Sequence, residues 1–429
     1  MPANIFVLGL DDHNHEMLQA LPDAEEYRFH PVLSIQELQR GEDIPVAELL
    51  DKATQQLEAF DGTIDAVIGF WDFPVSLMVP ILCQRFDGLR CPSLEAVMKC
   101  EHKYWCRLEQ QKVIDEYPRF GLVDPERDEE PPAGVSYPMW VKPVKSFSSQ
   151  LAFGVGDQQE FRDALAAIRA GIRRVGEPFE LILEQLDLPP EIAGVGGTAC
   201  LVEEAISGRQ ATVEGYRYRG ETRVYGVVDS VTYEDIPSFV RYQYPSTLPD
   251  RVTKWMADVA GRIMTQVGLD YATFNIEFFW DEATDTLKVL EVNPRHSQSH
   301  AELFADVDGA PNHQALVRLA LGRDPELPHR SGPHPMAAKW FLRHFSDAVV
   351  RRHPSAEEVA AVQREIPGTT VDIIAHEGDR LSDLVDQDSY SYKIATIYVG
   401  ADDEAQLKDK YERCVAKLPF ELDDVTTGR

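Results

Sequence analysis

A chain of 429 residues with 44% apolar residues has enough material for two or three domains built around sizeable cores. Its 72 Asp and Glu against 42 Lys and Arg leave a formal net charge of −30, which repels phosphate backbones and anionic lipid and argues against nucleic-acid and membrane partners. No apolar run reaches the length of a membrane span, and the start MPANIFVLGLDDHNHE lacks a signal peptide's basic start and long apolar stretch, so a cytoplasmic protein is expected. The six cysteines (83, 91, 100, 106, 200 and 414) have no C-x-x-C spacing and read as reduced thiols rather than a zinc site or disulfide frame. Any anion site must be assembled locally from Lys, Arg and backbone N–H, and lysine is sparse.

Residues 5–10 read as a short first strand, and without a G-x-G-x-x-G after it dinucleotide binding there has no support. Residues 66–70 read as another strand, 75–86 as a helix, and Ser93 as the N-cap of a helix running to about 98. Together they suggest a small α/β domain. The pattern is helical again over 99–111, and prolines, glycines and acids between 118 and 138 mark a loop. A strand at 139–143 sets Lys142 beside a KSFSSQ loop, followed by a strand at 151–155 and a helix at 160–174 with apolar spacing at Phe161, Leu165 and Ile168. Residues 181–186 and 199–202 read as strands, and 211–218 with 223–228 as a hairpin. An amphipathic helix at 249–267 is stopped by Gly268. Further on, 312–321 is a helix closed by Gly322, and the Pro-rich 327–335 marks a boundary. The remainder, with elements at 337–345, 366–377, 394–399 and 403–418, reads as a smaller α+β cap.

The densest chemistry lies in residues 273–300, TFNIEFFWDEATDTLKVLEVNPRHSQSH. Apolar runs 274–280 and 287–292 flank a polar 281–286 segment, the pattern of a β-hairpin. Alternation puts Glu291 and Asn293 on one face, with Arg295 following as the chain leaves the sheet. If Glu277 pairs near Glu291, two carboxylates and an amide oxygen meet at a density that suits Mg²⁺. An amphipathic hairpin with its polar face in water is the competing explanation.

Lys103 in a helix, Lys142 before a small-residue loop, the segment LVEEAISG (201–208) and the hairpin's E-x13-E-x-N-x-R occur in that order. As an ordered set over about residues 65–325 they resemble the ATP-grasp superfamily, most closely its amino-acid and peptide ligases and in outline the biotin carboxylases. The resemblance implies an ATP-grasp fold of α/β and α+β class. Its parts would be an N-terminal Rossmann-like (pre-ATP-grasp) domain over 1–98, a two-lobed ATP-binding region over 99–330 with lobes at about 99–202 and 203–330, and a C-terminal α+β cap over 331–429.

Carried across, Lys103 and Lys142 would neutralise nucleotide phosphates. The loop 146–150, including Ser148 and Ser149, would fold over them and donate backbone N–H groups. Family members usually place glycine there; this chain has Phe147 and three serines, with Lys145 as a compensating cation. Residues 201–206 would be the hinge, the backbone of Glu203 and Ala205 meeting adenine around Glu204, with Val202 and Ile206 on its faces; 183–186 is a competing segment. Gln210 stands where a ribose-binding Glu is usual. Glu277, Glu291 and Asn293 would hold Mg²⁺, for which Mn²⁺ can substitute, and Arg295 would stabilise the moving phosphoryl group.

The implied reaction activates a small carboxylic acid as an acyl phosphate, which a small-molecule amine then displaces, giving an amide, ADP and phosphate. Biotin carboxylases place a Gln and then a Glu soon after the arginine, whereas here Gln298 is followed by Ser299 and His300, with Glu302 the nearest acid. That speaks against bicarbonate chemistry and leaves a bicarbonate-activating enzyme or a catalytically silent ATP-binding module as alternatives. His296 and His300 are candidates to bind a substrate carboxylate or take a proton from the amine. The resemblance also suggests a homodimer.

Overall fold

Apolar runs joined by short polar connections build the start of the chain. β1 (Ala3–Leu8), β2 (Tyr27–Val32) and β3 (Ala66–Ile68) pair in parallel in the order β2-β1-β3. Ile5, Val7, Ile68 and Phe70 are buried in one cluster with Val317 and Ala320 of the helix His313–Ala320, as expected where helices cover a parallel sheet. The sequence pattern missed β2, whose Pro31 weakens the strand signal; β2 is an edge strand, where proline is tolerated. The computed structural model describes residues 2–39, 41, 43–146, 151–236, 238–385, 387–388 and 390–425.

Ser93 caps the helix Leu94–Glu101 by accepting from the Ala96 N–H. The single helix expected over 99–111 is broken at His102, whose extended backbone and ring nitrogen cap a second helix, Lys103–Gln111. Lys103 therefore opens a helix, its N–H donating 2.8 Å to the Val144 carbonyl. β4 (Phe120–Val123), β5 (Met139–Pro143), β6 (Phe153–Val155) and β7 (Cys200–Glu204) form an antiparallel sheet in the order β4-β7-β5-β6. Phe161, Leu165 and Ile168 of the helix Gln158–Gly171 pack on Val141, Val155 and Val202. The strand expected at 181–186 is not one. The helix Arg173–Leu183 runs into it, burying Val175, Phe179, Ile182 and Leu183 at helical spacing. Its apolar tail, LILEQL, is too short for periodicity alone to separate helix from strand.

The chain continues through β8 (Arg209–Tyr218), β9 (Glu221–Thr232), β10 (Phe239–Tyr244), the helix Asp250–Val267, β11 (Ala272–Asp281) and β12 (Thr286–Asn293). Gly268 ends that helix at φ +76°, a left-handed conformation that glycine adopts without a Cβ penalty. Two compact units emerge. The first comprises Met1–Gly226, Pro249–Gln298 and Asn312–Leu327; the second comprises Val227–Leu248, Ser299–Pro311 and Pro328–Arg429. In the first, β12, β11, β8 and the opening half of β9 lie side by side. In the second, the rest of β9 pairs with β10, which pairs with β13 (Met336–His344), and β14 (Ala348–Arg352), β15 (Thr369–Ile373), β16 (Tyr392–Ala401) and β17 (Glu421–Asp424) follow in sequence. Trp340, Ile397, Val399, Leu407 and Cys414 form its core beneath the helix Glu404–Lys417. No described helix is long and apolar enough to cross a membrane.

One close approach fixes how β8 packs against β11. Gly215 lies opposite Phe274, and a Cβ there would come within 2.3 Å of the buried Phe274 ring and 2.9 Å of the Arg223 carbonyl oxygen. Gly215→Ala is therefore expected to cost about 1–3 kcal/mol and lower the melting temperature; an unchanged melt would contradict this packing.

Candidate active site

The β11–β12 hairpin places Glu277 directly across from Glu291 and Asn275 across from Asn293, with a bulge after Glu277. The Gln210 amide on β8 donates 2.9 Å to a Glu277 oxygen. Asn275 donates its amide to the Arg295 carbonyl at 3.3 Å, so its own oxygen faces Asn293 and accepts the Asn293 amide at 2.9 Å. That leaves the Asn293 oxygen, not its nitrogen, as the atom turned from this pairing.

Two carboxylates so close share one problem. Burial, and then the neighbouring Glu291 charge, push Glu277 up to about 7. Burial works against ionising Glu291 too, but the nearby Lys103 and Lys142 outweigh it and hold this carboxyl well below its usual range. Glu291 is the charged member, and Lys103 Nζ sits 2.7 Å from it. Among the described residues no three His, Cys, Asp or Glu side chains converge for a metal. The donor set on offer is two carboxylates and an amide oxygen, which fits a hard divalent cation that keeps water and phosphate oxygens as its remaining ligands.

Cations line the same cleft, each beside an acid. Lys103 also donates 3.0 Å to the Ser146 carbonyl. Lys142 pairs at 2.5 Å with Glu203, a 3% exposed residue on β7 that also receives Arg107. Arg107 in turn donates 2.7 Å to the Leu290 carbonyl on β12, tying β7 of the four-stranded sheet to the hairpin. Lys145 pairs with the buried Glu101. Lys103, Arg107, Lys142, Leu201 and Glu291 line a small cavity together with Cys100 and Cys106.

Arg295 meets a partner the sequence did not reveal. Asp72, in the loop after β3, accepts its Nε and Nη2 at 2.9 and 2.8 Å, the two-pronged geometry of a guanidinium–carboxylate pair. The backbone just past Arg295 is pinned as well. The His296 N–H donates 3.0 Å to Thr273, the Ser297 N–H donates 3.1 Å to the fully buried Glu214, and Asn312 donates 2.8 Å to the Ser297 carbonyl.

In the hinge candidate, β7 is paired on both sides, by β4 and β5. Glu204 holds Arg119 at 2.8 Å, and the Ala205 N–H donates 3.2 Å to the Pro138 carbonyl. Ile206 follows in the turn leading to β8. The competing segment 183–186 begins at a helix end and offers no strand edge. His300 belongs to the second unit, where it is 3% exposed with its ring edge-on to Tyr242 at 4.9 Å. Ser148 and Ser149 lie outside the described residues.

Comparison with known proteins bears on part of the chain. Residues 135–301 match the ATP-grasp domain. The chain carries an ATP-grasp domain. That match contains Lys142, Glu203, Gln210, Glu277, Glu291, Asn293 and Arg295, while Lys103 and Asp72 precede it. The carbamoyl phosphate synthase large chain of Acidobacterium capsulatum is 24% identical over 236 residues, covering 53% of this chain but 19% of that protein. The chain thus spans about a fifth of the length of this curated relative. The ATP-grasp fold extends beyond the domain match. The L-amino acid ligase of Bacillus licheniformis superposes with a TM-score of 0.71 at 15% identity, covering 98% of both chains. The biotin carboxylase domain of the Hydrogenobacter thermophilus 2-oxoglutarate carboxylase, solved with MgADP and bicarbonate, gives 0.63 at 13% identity over 99% of this chain and 92% of that one.

The raised Glu277 sets a pH dependence. Its folded value of about 7 lies above the ordinary carboxylate range, so the folded state holds a proton that the unfolded state has lost; folding stability from this group falls as pH rises toward and through 7. Glu277→Gln should therefore gain in melting temperature over wild type on going from pH 6 to pH 8, both without metal. A constant difference across that range would contradict the assignment.

Proposed function

We propose that the protein is an ATP-dependent carboxylate–amine ligase joining two small molecules through an acyl phosphate, with release of ADP and phosphate. The observation that carries this reading is the Glu277–Glu291–Asn293 set facing Lys103 in one cleft of an ATP-grasp domain. In the proposed site Lys103 and Lys142 bind phosphate oxygens as point charges. Glu277, Glu291 and Asn293 would hold Mg²⁺, or Mn²⁺ in its place, and the bound ion would neutralise charge on the β- and γ-phosphates. Lys103, which pairs with Glu291 in the structure, would turn to phosphate when that carboxylate is engaged by a metal. Arg295, steered by Asp72, faces the phosphoryl group as it moves to the attacking carboxylate oxygen, where a fork of donors matches the charge that develops. Most of the rate would come from positioning and charge neutralisation rather than covalent participation by protein groups. Glu203, Glu204, Ala205, Ile206 and Gln210 would bound the adenosine. Ser148 and Ser149 would close on the phosphates, and His300 would meet the substrates.

The similarity to the L-amino acid ligase supports amino acids or related small acids and amines as substrates. The proposal extends to a three-part organisation at 1–98, 99–330 and 331–429, a cytoplasmic setting and a homodimer. A second reading, activation of bicarbonate, draws on the biotin carboxylase solved with bicarbonate and on the carbamoyl phosphate synthase relative. It predicts bicarbonate-dependent ADP release with no amine present.

Incubation with Mg-ATP and a panel of amino acids and small carboxylic acids should yield ADP and phosphate only when an acid and an amine are both supplied. AMP as the sole nucleotide product, or no substrate-dependent turnover, would contradict the ligase reading. Glu291→Gln and Asn293→Ala should each lower turnover by at least about a hundredfold while the protein still melts cooperatively. Wild-type rates in either variant would remove the metal set.

A further inference from the structure

Gln210 stands where a ribose-binding carboxylate is usual, and the exchange of acid for amide changes what the side chain can do. An ionised glutamate only accepts hydrogen bonds, whereas a glutamine keeps one acceptor oxygen and gains N–H donors. A donor is in use here, because Gln210 Nε2 lies 2.9 Å from Glu277 Oε2. A glutamate at 210 could not make that bond. It would set a third carboxylate beside two that already repel each other.

Strand register makes the contact possible. β8 and β11 run antiparallel, with Thr212 opposite Glu277 and Gln210 opposite Phe279. Side chains alternate along a strand, so Gln210 and Thr212 share the face that carries Glu277 and, across the next rung, Glu291. Gln210 is thus the diagonal neighbour of Glu277, at a separation that a long side chain spans. The bond engages one Glu277 oxygen and leaves Oε1 on a carboxyl that is no longer free to rotate. Asn293 is treated alike, since Asn275 Oδ1 holds its N–H at 2.9 Å and its oxygen is the atom turned away. Glu291 is held instead by a charge, Lys103 at 2.7 Å. Two of the three proposed ligands are therefore fixed by neutral amides. An amide holds a ligand in place without setting a second positive charge beside the cation that is to bind.

We infer that Gln210, besides bordering the adenosine, is a positioning residue for the divalent cation, fixing through its N–H which Glu277 oxygen the metal meets. The inference rests on the metal set of the proposed site and is independent of which substrates the enzyme joins. An unheld Glu277 would have to be ordered by the metal itself, and that cost would appear as weaker binding. Hydrogen-bond partners of this kind, one step removed from the metal, contribute about ten- to a hundredfold in affinity.

Two titrations of the full chain separate the roles. Electron paramagnetic resonance of Mn²⁺ at saturating ADP reads the cation, and calorimetry with adenosine in EDTA reads the nucleoside without phosphate or metal. Gln210→Met, of similar length but without the donor, should weaken Mn²⁺ binding about tenfold or more while adenosine binds as it does to wild type. Wild-type Mn²⁺ affinity in a folded Gln210→Met overturns the proposal. So does a loss of adenosine affinity as large as the loss for Mn²⁺, which would make Gln210 a nucleoside contact. If Gln210→Met fails to fold, Gln210→Asn, whose amide sits on a stem one carbon shorter, takes its place. It should show the same selective loss, and the same two outcomes overturn the proposal. A wild type that binds no Mn²⁺ with ADP present removes the metal set itself and the proposal with it. A wild type that binds Mn²⁺, beside a variant that loses nothing, removes the proposal alone.

Discussion

Glu277 and Glu291 face each other across one rung of a hairpin, and two carboxylates at that range cannot both stay charged without a cation to share. In the structure Lys103 serves Glu291 while Glu277 is pushed toward neutrality, and the rest of the cleft follows the same rule. Lys142 answers Glu203, Lys145 answers Glu101, and Arg295 answers Asp72. None of these pairs is an ornament of the surface. Each brings together groups whose burial alone would be expensive, and a buried pair contributes less to stability than to holding its members in place.

That constraint gives the site its logic. A resting cleft of matched ions has no net pull on a metal or a nucleotide separately, because either one alone must displace a partner and leave a charge exposed. In the proposed site the two together would exchange carboxylate for metal and lysine for phosphate, and each would then help the other by the same amount. The setting is a protein of net charge −30, in which attraction for a polyanion has to be local. The backbone pins on residues 295–297 add rigidity where, in the proposed mechanism, the guanidinium would meet a moving charge.

Much of this was legible in the sequence where the signal is local. The hairpin's two apolar runs with a polar turn set its register, and with it the pairing of Glu277 with Glu291. Gly268 and Ser93 punctuate helices as their chemistry requires. What stayed hidden depends on contacts between distant segments. Asp72 reads as an ordinary loop acid, and its bond to Arg295 spans 223 residues of chain. Glu101 looks like a helical surface acid until the helix end is seen packed beside Lys145. Asn275 and Glu214 sit in apolar strands, where a polar residue can equally face water. The helix Arg173–Leu183 was missed for a different reason, since its apolar tail satisfies strand and helix patterns alike.

In the proposed site the hairpin carboxylates and Asn293 form a metal site completed by nucleotide phosphate. Electron paramagnetic resonance of Mn²⁺ titrated into the protein with and without ADP addresses it without relying on turnover. Wild type should bind Mn²⁺ tightly only when ADP is present, and the folded Glu277→Gln/Glu291→Gln double variant should lose that binding. Mn²⁺ binding that is equally tight in the double variant would contradict it.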